Sequence, residues 1–192
     1  MGLYINYRGK LRYPSLVKEL VAELEDIAKT MKLPYEILDG DWEKPSDAHL
    51  VQGERSPKIV GEAYLKGIIF KPLPSYDPVK MTFDSKGELH TLFSIAYKNS
   101  GIDKSQHWLS SKLSNAPDYV HIGVCKLLRH LEKKYFARFK AADDTGYWKT
   151  GNEQKLAEEQ LVMKTIIGIF KEGFDKNGVN FLNELGIILD KK

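Results

Sequence analysis

Between residues 15 and 33 the apolar side chains Leu16, Leu20, Leu24, Ile27 and Met31 recur every three or four positions, with Glu19, Glu23, Glu25, Asp26 and Lys29 outside that stripe. The spacing predicts an amphipathic helix, ended by Pro34. A second arc, formed by Val120, Val124, Leu127, Leu128, Leu131 and Tyr135, predicts a helix over 117–136 with Pro117 in its first turn. A third helix is expected to run from about residue 150 to 174. Leu156, Met163, Ile167, Phe170 and Phe174 make its stripe, Val162, Ile166 and Ile169 widen it, and Thr150 and Glu153 have the spacing of a capping box at its start. Beyond "DKNG", residues 179–189 predict a short closing helix.

Shorter, β-branched and aromatic runs lie between these. "GLYINYRG" at the amino end, "YEIL" at 35–38, "YLKGIIFKPL" at 64–73 and "FARFKAAD" at 136–143 read as strands. In 79–93, "VKMTFDSKGELHTLF", the tetrapeptide "DSKG" is a hairpin signal between two further strands. Residues 39–57 are polar, with two prolines and two glycines, and read as a loop. Residues 98–118 are equally turn-rich, although Trp108, Leu109 and Leu113 offer some purchase on a core. The order strand, helix, strand, strand, helix, strand, then helices predicts an α+β fold. Its expected form is a ferredoxin-like βαββαβ layer, mostly antiparallel, with a C-terminal helical addition. One globular domain over 1–192 is expected, with an α+β core at 1–148 and the helices of 149–192 packed on it.

Composition narrows the class. A chain of 192 residues with 42% hydrophobic residues can bury a substantial core. The formal charge of +3, with both signs interspersed, is too small to announce a nucleic-acid or membrane partner by itself. The lone cysteine, Cys125, excludes an internal disulfide and a multi-cysteine zinc site, so a reducing compartment, the cytoplasm, is expected. The opening residues lack the basic and apolar regions of a secretory signal, and Asn6 stands where myristoylation wants Ser or Thr. No apolar stretch approaches the ~20 residues of a membrane span.

Candidate chemistry gathers in two places. In "KAADDTGYWKTGNE", residues 140–153, the adjacent acids Asp143 and Asp144 could hold a cation or activate water, and Tyr147 and Trp148 could contact a ligand. The same residues are also ordinary turn chemistry with amphipathic aromatics folded on a core. His121 and Cys125 are four apart and share a helix face, which suits a metal or an imidazole-activated thiol, but no third ligand follows them, and core filling explains the cysteine. The second place is "KLLRHLEKKYFARFK", where Lys126, Arg129, Lys133, Lys134, Arg138 and Lys140 outnumber a single Glu132. Lys126, Arg129 and Lys133 share the face opposite the apolar arc, a stripe that could meet phosphates, with Tyr135, Phe136 and Phe139 as stacking surfaces; a merely solvated face explains it too.

No P-loop, dinucleotide fingerprint, nucleophile elbow or EF-hand loop is present, and neither a resident metal nor a cofactor is expected. The leading expectation is therefore a small cytoplasmic binding domain whose protein or nucleic-acid partner meets a helix face or the sheet, the nucleic acid being the less favoured of the two. Metal-assisted hydrolysis, with Asp143 and Asp144 holding the cation and His121 as acid or base, is the enzymatic alternative. Nucleic-acid binding through the basic second helix is another.

Overall fold

The structure, a computed structural model, describes residues 3–72, 76–102, 108–114 and 116–175. In chain order these form β1 (Tyr4–Leu11), a 3-10 turn (Pro14–Leu16), α1 (Val17–Thr30), β2 (Tyr35–Asp39), β3 (His49–Val51), β4 (Lys58–Val60), β5 (Lys66–Phe70) and β6 (Val79–Phe83). Then follow α2 (Leu92–Asn99), β7 (Leu109–Lys112), α3 (Asp118–Tyr135), β8 (Phe136–Asp143), α4 (Tyr147–Thr150) and α5 (Glu153–Asp175). The fold mixes helices with antiparallel sheet, as the periodicities predict.

The strands do not assemble as one ferredoxin-like layer. They divide into three small sheets, ordered β7-β1-β8, β2-β5-β6 and β3-β4. The physical reason lies in β1, whose two neighbours both come from the second half of the chain, in registers that pair Tyr7 with Leu109 and with Ala141. Beyond the end of β7 the same edge of β1 is taken by residues 87–89, through Leu11 N to Gly87 O at 2.9 Å and Leu89 N to Gly9 O at 2.9 Å. The "DSKG" turn therefore forms, but its second arm makes only an isolated Phe83–Leu89 bridge before running along β1 and into α2. Tyr7 ties the two larger sheets together: its buried hydroxyl accepts from Lys80 N at 2.9 Å and donates to Lys80 O at 3.2 Å.

Strand alternation decides what each face of the β7-β1-β8 sheet carries. Ile5, Tyr7 and Leu11 of β1, with Leu109 of β7, enter the main core. They meet Leu20 and Leu24 of α1 and Val124, Leu128 and Leu131 of α3 there. On α1 the core face is Val17, Leu20, Leu24 and Ala28, one residue per turn, so the expected stripe is right in its middle while its last member, Met31, is exposed. The α1–α3 contact is closed by Glu23, whose carboxylate accepts from His130 Nε2 at 2.6 Å, Lys134 Nζ at 2.9 Å and the Tyr135 hydroxyl. Partial burial would raise this carboxyl, but the three donors outweigh it and bring the pKa down to about 2.

Residues 39–57 are not only loop. They contain β3, which pairs with β4 and packs under α2 around a small cluster of Ala48, Ala63, Leu65, Ile95 and Ala96. Asn99 and Ser100 at the end of α2 fasten the hairpin through bonds to Ala48 O (2.9 Å) and from Leu50 N (2.8 Å). At the other end of the described chain, Leu156 of α5 is fully buried in the main core. Most of the remaining stripe of that helix, and the closing helix expected at 179–189, lie outside the described side chains and residues. No helix among the described residues is long and apolar enough to cross a membrane.

Candidate functional site

The two acids of "KAADDTGYWKTGNE" part company because they are neighbours in and just beyond a strand. Asp143, the last residue of β8, turns inward. Its Oδ2 accepts from His121 Nε2 at 3.0 Å, from Tyr147 N at 3.0 Å and from the Thr145 hydroxyl, and its Oδ1 from Trp148 N at 2.8 Å. Asp144 turns outward and accepts from Tyr4 N at 2.9 Å, closing the end of the sheet. Asp143 thus works as a cap for α4, supplying an acceptor to two amides at the helix start. Burial alone would raise its pKa, but His121, Thr145 and the Trp148 amide hold it down at about 2. The side chains of His121 and Asp143 are 0% and 1% exposed, which closes the pair to water and substrate alike.

The aromatic neighbours complete the packing. Tyr147 is buried and meets the His121 ring edge-on at 6.1 Å. Trp148 is half-buried between Phe139, 6.1 Å between centroids, and the Arg129 guanidinium, 5.1 Å above its ring. Arg129 also donates to the Trp148 carbonyl. The expected capping box at Thr150 is not formed. Thr150 Oγ1 donates to Gly146 O at 2.9 Å, and Asn152 instead caps α5, its Oδ1 accepting from Lys155 N at 3.0 Å.

Cys125, one turn beyond His121 on α3, is fully buried, and burial together with the nearby Asp143 carboxylate pushes its thiol up to about 12. A thiolate is the reactive form, so native protein should react with a thiol reagent only as fast as it opens. Labelling of Cys125 at the unfolded-peptide rate in native buffer would refute this burial.

A group of basic side chains lies elsewhere, on the outer face of the β7-β1-β8 sheet. The even-numbered residues of β1 are Tyr4, Asn6, Arg8 and Lys10, and the register sets Arg8 directly opposite Lys140 and Lys10 directly opposite Arg138. Lys112 of β7 lies opposite Tyr4 on the same face, its ammonium 5.9 Å from the Tyr4 ring. The Arg8 guanidinium stacks at 4.7 Å over Trp108, just before β7. A cleft of about 450 Å³ runs along this face, lined by Arg8, Lys10, Glu88, His90, Arg138 and Lys140 among others. Its neighbour, about 690 Å³, passes over the β8 edge, where Lys140 and Trp108 meet Arg129, Lys133 and Trp148. Of the basic residues singled out on the second helix, Lys133 and Arg129 therefore line a cleft, while Lys126 is exposed.

Arg8 and Lys10 were not legible as part of a site. Their alternation in "YINYRGKL" places them on one strand face, but nothing local says that "FARFKAAD" lies beside that strand.

Beside the first cleft, which Glu88 and His90 line, Asp84, Glu88 and His90 bring one donor atom each within 4.8 Å of one another, and they are the one group of three or more such side chains found among the described residues. Comparison of the chain with protein-family models, with curated proteins and with solved structures finds no match.

Proposed function

We propose that this protein binds single-stranded nucleic acid on the open face of its β7-β1-β8 sheet. The observation that carries the reading is the pair of like-charged cross-strand contacts, Arg8 with Lys140 and Lys10 with Arg138. Like charges set directly opposite on a sheet destabilise it, so folding gains nothing from this choice of residues. An anionic ligand reverses the sign of that cost. Among the described residues only Lys10 of the four has an acidic partner, Glu88 at 3.6 Å. Neighbouring strands lie roughly 4.8 Å apart and alternate residues about 6.7 Å apart, so the four cations form a compact patch on which a phosphate backbone can lie.

Aromatic rings at the margin, Tyr4 and Trp108, each carry a cation within 6 Å, which is the layered surface on which unpaired bases stack. A flat sheet face suits splayed bases rather than a duplex groove, which calls for a protruding helix or ribbon. Hydrolysis at Asp143 and Asp144 draws no support from a carboxylate pair that points to opposite sides of a strand.

Fluorescence anisotropy with a labelled oligonucleotide, single-stranded or duplex, tests the reading. The single strand should bind more tightly, with affinity falling linearly on a log–log plot against salt. The double variant Arg8→Gln/Lys140→Gln should flatten that slope by roughly 1.4, at about 0.7 per single-strand phosphate contact. Lys58→Gln, on the separate β3-β4 sheet, should leave it unchanged. Salt-independent binding, or none in low salt, would dispose of the proposal.

A further inference from the structure

We infer that Asp84, Glu88 and His90 form a binding site for a divalent first-row transition metal beside the basic cleft. His90 Nε2 lies 3.8 Å from Asp84 Oδ2 and 3.8 Å from Glu88 Oε2. Those separations are too long for hydrogen bonds, yet they suit donors that share a cation. A point equidistant from the three atoms sits roughly 2.2–2.5 Å from each, close to the 2.0–2.2 Å of zinc bound to nitrogen and oxygen.

The second atom of every ligand is already engaged, and each engagement aims the first atom inward. Asp84 Oδ1 accepts from Lys86 N at 3.0 Å and Glu88 N at 2.9 Å, locking the carboxylate in the turn. Glu88 Oε1 faces Lys10 Nζ at 3.6 Å, leaving Oε2 toward His90. His90 Nδ1 lies 2.9 Å from Ser94 Oγ, and that hydroxyl also donates to Thr91 O at 3.0 Å. With the hydroxyl proton spent on Thr91, Nδ1 carries the imidazole proton and the Nε2 lone pair turns toward two carboxylates. Outer-sphere partners of this kind fix the tautomer and orientation of a metal-bound histidine.

The scaffold is rigid as well as aimed. Asp84 N donates to Glu88 O at 3.0 Å, His90 N donates to Thr82 O at 2.9 Å, and Ser94 belongs to the cap of α2. One nitrogen and two carboxylate oxygens favour Mn²⁺ or Zn²⁺ over Mg²⁺ or Ca²⁺, which prefer oxygen alone. Three protein ligands leave positions open, and both Glu88 and His90 also line the cleft that holds Arg8, Lys10, Arg138 and Lys140. In that setting a phosphate oxygen of the bound strand completes the coordination, a consequence that rests on the nucleic-acid reading, whereas metal binding itself does not.

The test uses the full chain, stripped with a chelator and without nucleic acid. Calorimetric titration with MnCl₂ and ZnCl₂ should give one saturable site per chain, with MgCl₂ much weaker. Glu88→Gln, whose side chain is 35% exposed and so replaceable without disturbing the core, should weaken the affinity by at least roughly 10-fold, no less than the loss of an outer-sphere partner costs. Substoichiometric Mn²⁺ should broaden the His90 ring resonances in NMR and spare those of His130. The inference fails if no saturable site appears, if Glu88→Gln binds as the parent does, or if His90 is not broadened. Oligonucleotide affinity measured with and without Mn²⁺ then separates the two proposals: a metal site that leaves that affinity unchanged removes only the shared phosphate.

Discussion

Asp143→Ala should lower the stability of this protein by roughly 3–5 kcal/mol in urea denaturation at neutral pH, because a buried carboxylate that accepts several hydrogen bonds is lost and each donor left unsatisfied costs about 1–3 kcal/mol. The carboxylate satisfies the His121 ring, the Thr145 hydroxyl and the amides of Tyr147 and Trp148 at once. Alanine would orphan all four inside a site closed to water. Asp143→Asn should cost less, because the amide oxygen still accepts, but its NH₂ faces donors.

The pH dependence follows from a carboxyl whose folded pKa lies near 2 against an ordinary value of 3.8. A depressed pKa means stability that is fully present above about pH 4 and is lost as pH falls through 2, worth roughly 2 kcal/mol. Glu23, also held at about 2, acts in the same direction over the same range. Denaturation midpoints between pH 5 and 2 should therefore fall steeply in the wild type and less steeply in Asp143→Asn, with Glu23→Gln removing a further part of the slope. An alanine variant as stable as its parent would mean that the buried pair contributes nothing.

Gly67→Ala should be almost as costly, roughly 3 kcal/mol or more. Gly67 lies in the central strand of β2-β5-β6, at φ +151°, and a Cβ there would stand 2.0 Å from Met81 O and 2.7 Å from Thr82 Cα. Both are backbone atoms of the paired strand, so nothing can rotate aside. Gly123→Ala supplies the contrast. That glycine sits on α3 with nothing within 4 Å of its missing Cβ, and alanine should stabilise the helix by about 0.5–1 kcal/mol. The same denaturation series reads both, and equal effects at the two glycines would contradict the close approach of β5 to β6.

The elements legible in the sequence are those whose signal is local and long. The helices of α1 and α3 and the strands β1 and β8 stand within a few residues of where periodicity places them. The helix α2 is hidden because its eight residues, "LFSIAYKN", follow a strand-like run directly, and its capping box uses Ser94 where the usual pattern has Glu or Gln. Strand β7 is hidden for another reason. "LSSK" offers little hydrophobic alternation, and its place beside β1 depends on a partner over a hundred residues away.

Site residues divide along the same line. Asp143 and His121 were recognisable as unusual residues, yet their meeting depends on which face of β8 looks toward α3. The start of α5 shows the limit at short range: Thr150 and Asn152 are both acceptable caps ahead of Glu153, and Gly151, at φ +65°, ends α4 so that the second of them takes the position.

The central place of β1 also has a consequence for how the chain is made. On the ribosome this strand emerges well before either of its partners, and the residue that accepts from its first amide, Asp144, is 140 positions beyond Tyr4. Until β7 has emerged Ile5, Tyr7 and Leu11 have neither of their neighbouring strands, and until β8 follows they have only one; a nascent chain with an unpaired apolar strand is a template for the wrong partners. Synthesis should therefore be the protein's most aggregation-exposed stage, and release from a stalled ribosome before α3 and β8 have emerged should yield chains that are held by chaperones rather than folded.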